Sequence, residues 1–370
     1  MLYQRLIAKF GTNLLTGGTG HLAPDIMASL VQQIAQLHNQ GHEVIIVSSG
    51  AVAAGRQRLQ LTQERKDIPF KQVLASIGQN QLLHAYEQLF SQHNIIVAQA
   101  LLTKSDLTQR AGYLNARNTL LALIELGVIC IVNENDVVAT DEIGEVKFGD
   151  NDNLSAMVAN LVDADLLVLL TDTDGLYTND PQHDPDAKLI ARVEKIDTKV
   201  ERLASKASSS HGVGGMATKV EAAKLATSSG VTVVIANGHK PDILKQITAG
   251  ESCGTLFPPR ASKLESKKRW MLSGLSANGK LIIDDGAVLA LREQNKSLLP
   301  AGIIGVEGKF KRGDVVGIFD FRGNHIGYGI PNYSSKDVTS IKGAHSETIS
   351  STLGYEYGTE VIHRNNMALI

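Results

Sequence analysis

The stretch Asp165-Leu-Leu-Val-Leu-Leu170, running on into Thr171-Asp-Thr-Asp-Gly175, decides the fold. Side chains alternate between the two faces of a sheet, so a short unbroken apolar run ending in turn residues is a strand covered on both faces. Strands of that kind belong to parallel sheets packed between helices. The rest of the first 260 residues repeats the unit. Strand-like runs at Leu2–Lys9, Glu43–Val47, Ile95–Leu101, Gly127–Val132 and Val231–Ala236 alternate with helical periodicity at Met27–Asn39, Tyr113–Leu126 and Val220–Ser229. The expected class is therefore α/β, a mainly parallel sheet between helical layers over residues 1–260.

The pattern changes near Pro258-Pro259. The polar stretch Ala261–Arg269 opens a linker expected over residues 261–274. Short strands at Lys280–Asp284, Gly302–Val306, Asp314–Phe319 and His325–Gly329 then predict a second, smaller β-rich domain over 275–355, with 356–370 as a C-terminal tail.

Composition narrows the function classes. The chain has 370 residues, 43% hydrophobic and 20% charged, which suits two folded domains rather than a disordered chain. No apolar run approaches the roughly 20 residues of a membrane span. The N-terminal residues enter a strand without the zones of a signal peptide, and Cys130 and Cys253 lie in unrelated contexts. A cytoplasmic protein without disulfides or a zinc site is expected. Net charge is −2; residues 261–370 carry +3 and the remainder −5, too little to argue for nucleic acid.

Several motifs fail on inspection. Gly274–Lys280 begins like a P-loop, but Leu281 occupies the Ser/Thr position and a strand follows where a helix should. The glycines from Gly212 follow a polar run rather than the strand of a dinucleotide site. Asp150-Asn-Asp152 and Asp172-Thr-Asp174 lack the register of an EF-hand, and the histidines lack ligand spacing.

Three other features converge on an anion. Lys9 ends the first strand before the glycine-rich turn Phe10–Gly18, where backbone N–H groups can approach phosphate. Gly212-Val-Gly-Gly-Met-Ala-Thr-Lys219 opens a helix and puts Lys219 in its first turn, where the macrodipole disfavours a cation unless an anion lies alongside. Thr171-Asp172 stands at the carboxyl end of the buried strand, where open α/β sheets collect ligands. Each has a plain alternative: a solvated lysine, a loop with an incidental lysine, a simple chain reversal.

A further set suits a small amino acid. Ser48-Ser49-Gly50-Ala51 gives a strand end, hydroxyls and a helix start able to cradle a carboxylate, or simply an N-cap. Val132-Asn133-Glu134-Asn135-Asp136 and Gly149-Asp150-Asn151-Asp152-Asn153 offer amides for hydrogen bonding and carboxylates for an ammonium group, though such clusters also make ordinary turns.

Taken together, KFGTNLLTGG (Lys9–Gly18), SSGAVAAGR (Ser48–Arg56), LLTKSD (Leu101–Asp106), VNEND, GDNDNLSA (Gly149–Ala156), LTDTDGLYTNDP (Leu170–Pro181) and GVGGMATK resemble the amino-acid kinase family. KSLLPAGI, GKFKRGD, LGYEYG and IHRNN resemble the PUA domain and C-terminal end of its longer bacterial members, so the likeness spans nearly the whole chain. The resemblance implies transfer of the ATP γ-phosphoryl group to the side-chain carboxylate of L-glutamate, giving L-glutamyl 5-phosphate for proline synthesis. It also implies Mg²⁺ accompanying ATP, feedback inhibition by proline and a homo-oligomer. Carried over motif by motif, it makes Lys9 and Lys219 the lysines that stabilise the transferred group and Asp152 the acid that orients them. Ser49, Gly50, Asn133, Asp136 and Asn151 would hold glutamate. Lys9, Thr171, Asp172, Val213, Gly214, Gly215, Met216, Ala217, Thr218 and Lys219 would hold the nucleotide, and no residue is assigned to a metal. Val213 replaces a common Thr, and Cys130 replaces a common Pro.

The chemistry is consistent with these residue types. A carboxylate of pKa about 4.3 is already ionised at neutral pH and requires no general base. The difficulty is bringing one anion against another, which lysines, backbone N–H groups and Mg²⁺ offset. Related acceptors (aspartate, N-acetylglutamate, carbamate, UMP) and an RNA-binding role for the PUA-like domain are the rival readings. The small basic excess and lack of an evident aromatic and arginine platform give the RNA reading no support.

Overall fold

The computed structural model describes residues 1–61, 67–139, 151–181, 183–206, 215–262 and 279–370. It divides into two compact units, Met1–Ala261 and Ser262–Ile370. The first runs β1 (Arg5–Phe10), α1 (Thr12–Thr16), α2 (Pro24–Asn39), β2 (Glu43–Ser48), α3 (Ala51–Arg58), α4 (Ile68–Ser91), β3 (Val97–Leu102), α5 (Lys104–Thr108), α6 (Arg110–Glu125), β4 (Ile129–Glu134), α7 (Asn151–Leu161), β5 (Leu166–Thr171), α8 (Thr198–Lys206), α9 (Met216–Ser228), β6 (Thr232–Asn237), α10 (Ile243–Thr248) and β7 (Thr255–Phe257).

These strands form one sheet in the order β3-β4-β2-β1-β5-β6-β7. All neighbours are parallel except β7, which pairs antiparallel with β6 and is too short to show alternation in the sequence. Strand β5 explains the sandwich. Leu166, Val168 and Leu170 enter a core shared with α1, α2, α4 and α10, whereas Leu167 and Leu169 enter the opposite core with α6, α7 and α9. All five are fully buried, and each contributes about 1.5–3 kcal/mol by leaving water.

All six parallel strands end one or two residues beyond their expected limits, and four of them pass from apolar into polar sequence, so Ser48, Asn133, Glu134, Thr171 and Asn237 are strand residues. The ladder requires only backbone groups and continues past the hydrophobic stretch. At the other end the structure trims the expectation. Gly127, at φ +68°, belongs to the turn leaving α6, and Asp165 Oδ2 accepts from Gln4 N and Arg5 N before β5 starts. Helix α9 begins at Met216, four residues ahead of the expected Val220.

Helices α3 and α4 touch backbone to backbone. A Cβ on Gly55 would lie 1.9 Å from Leu74 O, and one on Gly78 would lie 1.8 Å from Ala51 O. Only glycine permits that approach, and α3 starts immediately after Ser49-Gly50.

The second unit is a five-stranded sheet ordered β12-β11-β10-β8-β9, built from β8 (Gly279–Ile283), β9 (Ile303–Gly308), β10 (Val316–Asp320), β11 (His325–Gly329) and β12 (Met367–Leu369). Its core gathers Leu281, Ile318, Ile326, Tyr333, Val338 and Ile362. Asp284, expected in the first strand, instead caps the helix Asp285–Arg292 by accepting from Ala287 N at 2.7 Å. Residues 356–370, set apart in the sequence as a tail, supply Val361 and Ile362 to the core and β12 to the sheet edge. Most of the expected linker, from residue 263 on, lies outside the described residues. Among the described residues no helix is long and apolar enough to cross a membrane.

Candidate active site

Polar residues stand in a row where the central strands end. In spatial order they are Asn133 on β4, Ser49 just after β2, Lys9 near the end of β1, Thr171 at the end of β5 and Asn237 at the end of β6. With strands about 4.8 Å apart, four gaps make an edge of roughly 19 Å, long enough for an amino acid beside a nucleotide. This is the carboxyl edge, where parallel sheets place their ligands.

At the centre, two lysines meet one carboxylate. Lys9 Nζ lies 2.5 Å from Asp152 Oδ1, and Lys219 Nζ lies 3.2 Å from Asp152 Oδ2. Thr218 Oγ1 donates to Asp152 Oδ2 at 2.7 Å. The sequence positions are far apart, but β1, the start of α7 and the first turn of α9 bring them together. Asp152 is 1% exposed and each lysine 5%. Burial alone would raise the Asp152 pKa, but the charges of Lys9 and Lys219, with hydrogen bonds from Lys9 and Thr218, hold it down at about 2. Two ammonium groups gathered on one carboxylate concentrate positive charge out of water. That charge is costly by itself and is offset when an anion arrives.

Asn151, the residue before Asp152, joins a chain of amides. Its Nδ2 donates to Ser49 Oγ at 3.0 Å and to Asn133 Oδ1 at 3.1 Å. Asn133 Nδ2 in turn donates to Gln79 Oε1 at 2.6 Å. Among the described residues, Asn151 Oδ1 and Gln79 Nε2 are buried without hydrogen-bond partners. An unmet acceptor and an unmet donor, each on a residue bonded to Asn133, fit a ligand bearing both an ammonium and a carboxylate. Gly50, at φ +102°, turns the chain into α3, whose first N–H groups lack a side-chain cap. Asp136 follows β4 in the same quarter, and burial pushes its carboxyl up to about 6.

On the other side of Lys9 the edge turns toward α9. Thr171 Oγ1 donates to Asp172 Oδ1 at 3.0 Å, and Thr173 Oγ1 is buried without a partner among the described residues. Asp174 accepts from Asn237 Nδ2 and pairs with Lys240, both at 3.0 Å. Burial pushes the Asp174 pKa up, but the hydrogen bonds from Lys240 and Asn237 outweigh it and the net direction is down. Gly215, Met216, Ala217 and Thr218 lead into α9, whereas Val213 and Gly214 lie outside the described residues.

The structure adds residues that the motifs do not mark. Asn237 follows an apolar strand as Asn133 does, so the same signal could have found it. Gln79 sits in mid-helix and carries no signal at all. In the second unit, Phe319 stacks on His325 with centroids 4.6 Å apart, Lys280 lies over Phe319 and Arg322 over Phe321. Apart from Lys280, that aromatic and basic cluster lies within Phe319–His325. Its cations already face carboxylates, Lys280 with Glu307 at 3.7 Å and Arg322 with Asp285 at 3.8 Å.

Residues 4–237 match the amino acid kinase family, and residues 279–353 match the PUA domain. The chain is 60% identical to the glutamate 5-kinase of Dehalococcoides mccartyi, over 100% of this chain and 99% of that one. It is 50% identical to the glutamate 5-kinase of Herpetosiphon aurantiacus, over 99% of this chain and 98% of that one. Its identity to the glutamate 5-kinase of Shewanella oneidensis is 49%, over 100% and 98%.

Proposed function

Because the chain belongs to the amino acid kinase family, we propose that Lys9, Asp152 and Lys219 carry its phosphoryl transfer. The reaction is ATP-dependent phosphorylation of the side-chain carboxylate of L-glutamate, giving L-glutamyl 5-phosphate, the first step toward L-proline. The observation that carries the assignment of residues is the convergence of both lysines on one buried carboxylate.

Glutamate lies along the amide chain. The open acceptor on Asn151 and the ionised Asp136 take its ammonium group. The N–H groups after Gly50 and the open donor on Gln79 take a carboxylate. Its other carboxylate then faces the lysines, already charged and ready to attack. ATP lies toward Thr171, Asp172 and the start of α9, with its γ-phosphate over Lys9 and Lys219. As negative charge shifts from attacking to leaving oxygen, the two ammonium groups follow it without moving, because Asp152 holds both. Asp152 takes no proton, since its pKa lies far below neutrality.

Both Asp152 oxygens are already engaged by ammonium groups, so this carboxylate does not suit Mg²⁺ as well. The ion fits instead as MgATP, supported by phosphate oxygens and water, and it supplies charge neutralisation. Proline carries the ammonium and α-carboxylate of glutamate without the reactive side chain, so the same groups would take it as an inhibitor. A protein working on these metabolites belongs in the cytoplasm.

Two measurements follow. Glutamate-dependent ADP release, with hydroxylamine trapping the acyl phosphate as a hydroxamate, is expected; release with aspartate but not glutamate would sink the reading. The second is a pH profile. Asp136 binds an ammonium group only when ionised, so the glutamate KM is expected to rise as pH falls through about 6. Asp136→Asn should weaken binding at neutral pH and flatten that rise, and an unchanged profile in the variant contradicts the placement.

A further inference from the structure

Arg117, on α6, has the largest fully buried side chain among the described residues, and it lies away from the lysines. Its Nη1 donates to Leu161 O, and its Nη2 pairs with Asp163 Oδ2 at 2.5 Å. Leu161 ends α7, and Asp163, at φ +53°, turns the chain away from it. A buried guanidinium is expensive unless its donors are met, and the carbonyl end of a helix is a fitting partner for a cation. A second arginine does related work: Arg5 Nη1 donates to Val162 O while its Nε holds Glu43 at 2.6 Å.

The two ends of α7 are thus connected to the same strand. Arg5 opens β1 and holds the carbonyl end; Lys9, near the far end of β1, holds Asp152 at the start of the helix. Arg5 to Lys9 is four strand steps, about 13 Å, and Asp152 to Val162 is ten residues, about 15 Å at helical rise, so strand and helix nearly match in length. Arg117 adds a tie from α6, outside that pair, which prevents α7 from sliding or turning along β1.

We propose that Arg117, braced by Asp163, is a positioning residue for phosphoryl transfer: it fixes α7 along its axis so that Asn151 and Asp152, the first two residues of the helix, meet the substrate groups and the lysines. This rests on the reading of Asp152 as the residue that orients Lys9 and Lys219. The action is mechanical, since the charge of Arg117 lies a whole helix away from Asp152.

The test uses the full-length protein, with each variant assayed below its own melting temperature. Arg117→Met keeps most of the volume and removes the donors. A shift of about 1 Å in a reacting group costs roughly 100-fold, so kcat is expected to fall by about that factor while the ATP KM stays within about threefold. Arg117→Lys restores one donor to Leu161 O and should recover about tenfold of that loss. A folded Arg117→Met protein with native kcat overturns the proposal. Should Arg117→Met not fold, Arg117→Lys and Asp163→Asn decide: a lowered kcat in both supports the clamp, and native kcat in both, with only a lower melting temperature, refutes it. Lys219→Ala, run in parallel, separates the two levels. If it retains kcat, the site assignment has failed and takes the clamp with it; if it loses kcat while Arg117→Met does not, only the clamp is wrong.

Discussion

Replacing Lys219 with alanine is expected to lower kcat by about 10²–10³-fold, the cost of losing one preorganised donor to developing charge, or about 2.7–4 kcal/mol of transition-state stabilisation. The glutamate KM should move by less than about threefold, because Lys219 touches Asp152 and takes no part in the chain from Ser49 through Asn151 and Asn133 to Gln79. Lys9→Ala should behave alike. The double variant should lose little more than either single one, because the second ammonium is useful only when the first is in place. Steady-state kinetics on all three, with glutamate and ATP varied separately, checks this. A raised KM with kcat intact would place the lysines at binding rather than at the migrating phosphoryl group. Acid stability gives an independent reading. The depressed Asp152 pKa stabilises the fold above its unfolded value of about 3.9, and that stability is lost as pH falls through about 2. With one lysine gone the folded pKa moves back toward the unfolded value, so the variant should lose less stability than the parent as pH falls through this window.

How much of this the sequence reveals depends on whether a residue's partner is near in the chain. Strand β5 is legible because both of its faces are buried, and the unbroken apolar run records it. Lys9, Ser49, Asn133 and Thr171 are legible for a related reason: each follows an apolar run at the edge where ligands gather. What cannot be seen is mutual placement. Asp152 and Lys219 are separated by 66 intervening residues, and only the packing of α7 against α9 makes them neighbours. Gln79 is invisible because a glutamine in mid-helix has no local consequence. Arg117 lies three residues after Leu114 and four before Leu121, on the apolar face of α6, but its partners at the end of α7 are distant in the chain and leave no local signal. Strand limits err in one direction, since hydrophobicity marks the core while the hydrogen-bonded ladder runs past it, and that overrun places the polar residues on rigid backbone.

The contact between α3 and α4 gives a prediction whose sign separates tertiary packing from local propensity. By helix propensity alone, Gly78→Ala should stabilise the protein by about 1 kcal/mol. The structure reverses this. The added methyl would stand 1.8 Å from Ala51 O and 2.3 Å from Gly55 N, both backbone atoms fixed within α3. Relief requires the helices to part by more than an ångström, so a loss of about 3 kcal/mol or more is expected. The displacement is directed at the substrate. Gln79 is the next residue on α4, and further along that helix Tyr86 OH lies 2.8 Å from Ser48 Oγ at the start of the Ser48-Ser49-Gly50 turn. Moving α4 therefore moves two sides of the glutamate pocket, and the folded fraction should show a glutamate KM raised about tenfold or more, by the same sensitivity to small misplacements. The ATP KM should change least, since α9 and the end of β5 lie elsewhere on the edge. Gly286→Ala is the matching control: its Cβ would meet only Asp284 Oδ1 at 3.4 Å, an ordinary contact, so propensity should prevail and stability should hold or rise slightly. Urea unfolding of both variants reads the difference directly, and a Gly78→Ala protein as stable as its parent would mean that the two helices do not pack as closely as the structure has them.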